Sequence, residues 1–133
     1  VDVRSVHHVA FAVEDLDEAV ETYRSLFGAE VELRGTLDDQ GVEAVYLRLG
    51  SGRVELMSAL GEDTPVGRFL ARRGPGMHHV GFGVEDVASA VDDLAARGVD
   101  VIDLEPRVGL GGHLVSFVHP GSLHGVLAEM VGA

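Results

Sequence analysis

Four of the seven histidines in this chain stand in two adjacent pairs, His7-His8 and His78-His79, and there is no cysteine. Thiolate ligation and disulfides are therefore excluded, and any metal must be held by imidazole and carboxylate. All ten basic residues are Arg, so a lysine Schiff base or a lysine general base is excluded too. Two glutamates lie inside apolar, strand-like runs: Glu55 in Val54-Glu55-Leu56-Met57 and Glu129 in Leu127-Ala128-Glu129-Met130. A carboxylate in such a run faces solvent or is buried with a partner, because an unpaired buried charge is costly. One His and one Glu from each half would make a site of two imidazoles and two carboxylates. That mixture suits a divalent ion such as Co, Mn, Ni, Fe or Zn, with two octahedral positions left for water or substrate.

The elements that carry these residues repeat. The segment His7-His8-Val9-Ala10-Phe11-Ala12-Val13-Glu14-Asp15 recurs as His78-His79-Val80-Gly81-Phe82-Gly83-Val84-Glu85-Asp86, at a constant offset of 71. Helical spacing follows each copy, through Leu16, Ala19, Val20, Tyr23 and Leu26 and through Val87, Ala90, Val91 and Leu94. Asp15 and Asp86 stand at N-cap positions, Glu18 completes a capping box, and Gly28 and Gly98 end the helices. Strand-like runs come next: Glu30 to Arg34, Val42 to Leu49 and Val54 to Ser58, then Asp100 to Leu104, Leu114 to His119 and Val126 to Val131. Each half reads as βαβββ. Thr64-Pro65 opens a short linking helix that Gly74 ends.

A chain of 133 residues fits one domain or two very small modules sharing a core, since chains below roughly 150 residues seldom hold two independent cores, so residues 1–133 are read as one α+β domain. Its first module covers about 5–61, the linker helix about 64–74 and the second module about 76–131. The expected architecture is a mixed sheet, curled around a metal cleft, onto which the two modules bring their ligands.

Strand parity selects one His from each pair, because successive side chains point to opposite faces. His7 shares its face with the bulky Val9, Phe11 and Val13, which suit packing beneath the following helix. His8 shares its face with Ala10 and Ala12, and His79 with Gly81 and Gly83. Small neighbours leave room for a ligand, so His8 and His79 are the candidate metal ligands. His7 and His78 are read as structural residues.

A formal charge of −12 opposes nucleic acid phosphates and anionic membrane surfaces. A mean hydropathy of +0.19 supplies apolar surface for a packed core. No apolar run approaches the roughly 18 residues of a membrane span. With no visible leader and no cysteine, the expected location is the cytoplasm.

In its motifs and their order, the chain resembles the vicinal oxygen chelate, or glyoxalase-like, superfamily, and within it the methylmalonyl-CoA epimerase family. The resemblance rests on His7-His8-Val9-Ala10, Gln40-Gly41-Val42, Glu55-Leu56-Met57, the stretch from Gly61 through Thr64-Pro65 to Phe69-Leu70, Gly76-Met77-His78-His79, Glu105-Pro106-Arg107, Gly111-Gly112, His119-Pro120, and Gly125-Val126-Leu127 with Glu129. It implies a homodimeric isomerase that interconverts the (2R) and (2S) forms of methylmalonyl-CoA with a divalent metal, cobalt first among the candidates. It places the ligands on His8, Glu55, His79 and Glu129. Glu129 is read as one catalytic base and Glu55 as the other, with a carboxylate where the family often has Gln. Several family members carry a further catalytic Glu four residues after the Gln of Gln-Gly-Val. That position is Ala44 here, and Glu43 lies on the opposite strand face. Gly121 replaces a Lys that is common after the His-Pro pair.

The remaining features have plainer readings. Gly109-Leu110-Gly111-Gly112 opens no helix and lacks the Lys and Ser/Thr of a phosphate loop, so it reads as a hairpin or a loop near the cleft. His113, His119 and His124 flank turns. Arg68, Arg72 and Arg73 lie on the linker helix and are the kind of charge a CoA thioester needs in so acidic a chain. Competing activities are a glyoxalase I-type lyase acting on a hemithioacetal, an extradiol dioxygenase, and a metal-free small-molecule-binding protein. Glu55 argues against the dioxygenase, since a fourth protein ligand fills a position that oxygen chemistry needs.

Overall fold

Alternation along β1 (Val3–Ala12) is visible in its burial: from residue 7 onward half-buried and buried positions take turns, with His8, Ala10 and Ala12 inside. This computed structural model describes residues 1–132. After β1 come α1 (Leu16–Phe27), β2 (Glu30–Leu37), β3 (Val42–Leu49), β4 (Gly52–Ala59), α2 (Pro65–Arg73), β5 (Gly76–Val84), α3 (Val87–Ala96), β6 (Arg107–Val108), β7 (Leu114–Val118) and β8 (Ala128–Gly132). The βαβββ order therefore occurs twice, with α2 between, and the fold is α+β. No helix among the described residues is long and apolar enough to cross a membrane.

The helix boundaries follow their capping residues. Asp15 accepts a hydrogen bond from the Glu18 N–H at 3.0 Å, and Asp86 accepts from the Ser89 N–H at 3.1 Å, each satisfying a donor that the first helical turn leaves unpaired. Thr64 accepts from the Gly67 N–H at 3.0 Å, with Pro65 in the first helical position. Gly28 ends α1 at φ 67°, a left-handed conformation that costs glycine nothing sterically.

Two compact units form, and they do not coincide with the two sequence repeats. One is continuous, Val9–His78; the other joins Val1–His8 to the chain from His79 onward. In the continuous unit the last part of β1 runs parallel to β4, from Val9↔Val54 to Ala12↔Met57, and β3 pairs antiparallel with both β4 and β2. Its core joins Leu16 and Val20 of α1 to Val45, Leu47 and Leu56 of the strands. Phe11 packs on this core and stacks on Tyr23 of α1 at 6.0 Å, so this member of the bulky parity class lies against the helix.

In the discontinuous unit β5 and β8 are parallel, from Val80↔Ala128 to Val84↔Gly132, and β7 is antiparallel to β8. Here Val87, Ala90 and Val91 of α3 pack on Val84, Val118 and Met130. The strand expected at Asp100 to Leu104 shrinks to a single bridge between Val101 and Val118. Beyond it the Asp103 carboxylate accepts from the Phe117 N–H at 2.9 Å, and the Asp103 carbonyl accepts from the Ser116 hydroxyl at 2.7 Å. Side-chain bonds thus satisfy groups that a ladder would have used, and Pro106 has no N–H to extend one.

Candidate metal centre

Three strands of the discontinuous unit bring three ligand atoms together. His8 comes from the first part of β1, His79 from β5 and Glu129 from β8. The parallel register sets Gly81 beside Glu129. A Cβ added at Gly81 would overlap the His8 ring, so it is the missing side chain there that lets the imidazole lie over β5. The His8 Nε2 is then 3.1 Å from the His79 Nε2 and 3.3 Å from the Glu129 Oε1, and the His79 Nε2 is 3.6 Å from that same oxygen. Phe117, in register with Glu129 across β7 and β8, meets the His79 ring edge-on at 5.1 Å.

All three side chains are buried, His8 at 1% exposure, His79 at 4% and Glu129 at 6%. Among the described residues they are the group of histidine and acidic side chains whose ligand atoms converge closely enough to hold an ion. Bonds of about 2.0–2.2 Å, usual for imidazole nitrogen and carboxylate oxygen, are long enough for three atoms at these separations to share one cation. A divalent cation would also compensate the negative charge that Glu129 brings into a place with little access to water. The residues present fit a metal.

Glu55 is buried on β4 of the continuous unit, at 5% exposure, in register with Ala10 of β1 and Tyr46 of β3. Ala10 and Gly81 are counterparts in the sequence repeat. The register of Ala10 with Glu55 thus reproduces that of Gly81 with Glu129, one instance in each unit. Glu43 is only half-buried on β3 and accepts a hydrogen bond from Arg34 at 3.1 Å, whereas Ala44 is fully buried. The two neighbours face opposite ways, as parity requires.

A family model described as the Glyoxalase/Bleomycin resistance protein/Dioxygenase superfamily matches residues 7–117. Over 127 residues the chain is 38% identical to the ethylmalonyl-CoA/methylmalonyl-CoA epimerase of Cereibacter sphaeroides, which covers 94% of this chain and 95% of that one. The chain belongs to the methylmalonyl-CoA epimerase family. It is also 38% identical over 126 residues to the mitochondrial methylmalonyl-CoA epimerase of Bos taurus, covering 94% of this chain and 72% of that one. A substituted form of the Streptomyces coelicolor methylmalonyl-CoA epimerase, solved with 2-nitronate-propionyl-CoA, superposes with a TM-score of 0.96 at 36% identity over 99% of this chain and 96% of that one.

Within this epimerase-family chain, three contacts go beyond what the residue pattern offers. Phe117 against His79 is one, since it depends on the pairing of β7 with β8. His78 packs edge-on against Phe69 of α2 at 4.9 Å. His7 places its Nδ1 2.8 Å from the Nδ1 of His8, a contact between adjacent residues that strand alternation gives no reason to expect. Of the turn histidines, His119 accepts from the Gly121 N–H at 2.9 Å and so caps the turn it begins.

Proposed function

We propose that this chain interconverts the (2R) and (2S) forms of methylmalonyl-CoA, removing the proton from the carbon beside the thioester carbonyl and returning one to the opposite face. The observation that carries this reading is the buried trio of His8, His79 and Glu129, with ligand atoms 3.1–3.6 Å apart, in a chain of the epimerase family. His8, His79, Glu129 and Glu55 are assigned as the ligands of a divalent ion, cobalt first and manganese, nickel, zinc or iron after it. Glu55 is included because its register with Ala10 repeats that of Glu129 with Gly81. A divalent cation held there supplies Lewis-acid stabilisation of the negative charge that develops as the α-proton leaves.

Inverting the carbon requires acid/base groups acting on both of its faces. Glu129 takes or returns the proton through a carboxylate oxygen, and Glu55 is the second such group, with the alternative position occupied by Ala44. A bound cation would lower the basicity of a carboxylate oxygen that ligates it, so the proton would be taken and returned at a carboxylate oxygen that does not ligate. Positive charge for the CoA phosphates can come only from Arg, and α2 carries three: Arg68, Arg72 and Arg73. The same reading includes a homodimer, which light scattering would register as twice the chain mass.

The test is to incubate protein loaded with cobalt or manganese with (2R)-methylmalonyl-CoA in deuterated water and follow both α-deuteration and optical activity. Deuteration together with loss of optical activity is expected. Deuteration with retained configuration, or turnover of a hemithioacetal without any exchange of methylmalonyl-CoA, would overturn the reading.

A further inference from the structure

We propose that His7 is a positioning residue: it accepts a hydrogen bond from the Nδ1–H of His8 and thereby presets the tautomer in which the His8 Nε2 presents a lone pair. This rests on the metal-ligand reading of His8. The two Nδ1 atoms are 2.8 Å apart, and the rings meet edge-on with centroids at 5.1 Å and an interplanar angle of 82°. One proton must lie between the two nitrogens, since two lone pairs repel. A neutral imidazole has one N–H and one lone pair, so placing the proton at one nitrogen of His8 decides the state of the other. If His7 were the donor, His8 would carry its own hydrogen on Nε2, the atom that faces His79 and Glu129, and could not ligate. With His8 as the donor, Nε2 can accept from the His79 Nε2–H at 3.1 Å or bind an ion.

Gly81 completes the arrangement from the other direction. The His8 ring lies where a side chain on Gly81 would be, so the ring has a fixed seat and His7 fixes the proton on it. Ligating histidines commonly have such a partner on the second nitrogen, and losing it costs roughly 10–100-fold in metal affinity. Here the partner is the preceding residue on the same strand, half-buried, and an imidazole rather than a carboxylate.

The experiment compares wild type, His7→Phe and His7→Gln. Phe keeps the ring volume and removes the acceptor; Gln restores an acceptor. Nitrogen-15 NMR of the ring nitrogens reads the His8 tautomer in metal-free protein, and competition with a chromophoric chelator reads Co(II) affinity. Expected are His8 protonated on Nδ1 in wild type, a mixture of tautomers and about 10–100-fold weaker Co(II) binding in His7→Phe, and recovery of both in His7→Gln. A wild-type His8 protonated on Nε2, or a His7→Phe protein with unchanged tautomer, overturns the proposal. The tautomer is measured without metal, so its outcome is separate from the metal assignment, which fails instead if wild type takes up no divalent ion.

Discussion

Gly81 and Glu129 lie in register across the parallel pairing of β5 and β8, and the His8 ring occupies the space that a side chain on Gly81 would fill. One position without a side chain thus sets the distance between an imidazole and a carboxylate on different strands. Gly81→Ala should move His8 off its seat, destabilise the metal-free protein by about 1–3 kcal/mol through overpacking, and weaken Co(II) binding. Thermal unfolding and a chelator competition check the two effects. Wild-type affinity in that variant would mean that His8 can ligate from another position.

His79→Ala removes a proposed ligand outright. Co(II) affinity should fall by more than the roughly 10–100-fold loss that an outer partner causes, leaving the protein largely empty after dialysis. Elemental analysis of the folded monomer or dimer fraction gives the answer, and full occupancy would remove His79 from the assignment.

Glu129→Gln and Glu55→Gln separate ligation from proton transfer. Each variant that still holds metal should lose α-proton exchange from one enantiomer of methylmalonyl-CoA, and the two should lose it from opposite enantiomers. Full epimerase activity in Glu55→Gln would leave Glu55 a ligand only.

Asp86, the N-cap of α3, makes the stability of the fold depend on pH. The hydrogen bonds from Ser89, the backbone one first, hold its carboxyl below the ordinary 3.8. A lowered folded-state pKa means that the charged cap stabilises the fold fully above the unfolded value, and that this contribution disappears as pH falls through the folded one. The melting-temperature advantage of wild type over Asp86→Asn should therefore be constant near neutrality and vanish on acidification below the ordinary carboxylate range. Parallel melts of the two proteins across that range would show it.

Much of this arrangement is legible in the amino-acid order because period-2 alternation and a duplicated segment act together. His8 with Ala10 and Ala12, and His79 with Gly81 and Gly83, form the small-residue class, and burial follows that class along β1. The helix caps at Asp15, Thr64 and Asp86 are local and so equally readable. Asp100 to Leu104 misleads because its β-branched Val101 and Ile102 suit a strand, while the Asp103 side chain accepts a hydrogen bond from the Phe117 N–H, fourteen positions away. The His7–His8 contact is hidden for the opposite reason: alternation assigns adjacent residues to different faces, and only ring orientation brings their Nδ1 atoms together.

The division of β1 at His8 has a consequence for how the chain acquires its shape. Val3–His8 precedes the whole of the other unit in the chain, while its partners from His79 onward follow that unit. Bringing His8 to His79 closes a long loop, and such closure is entropically unfavourable and slows folding. The continuous unit is therefore expected to form while the Val3–His8 segment still waits, with capture of that segment as the late step, an order that pulse-labelling hydrogen exchange would check. An ion joining His8 to His79 and Glu129 would act after that capture, as a clasp that opposes release of the first strand. Its effect should then be seen in the rate of unfolding more than in the rate of folding.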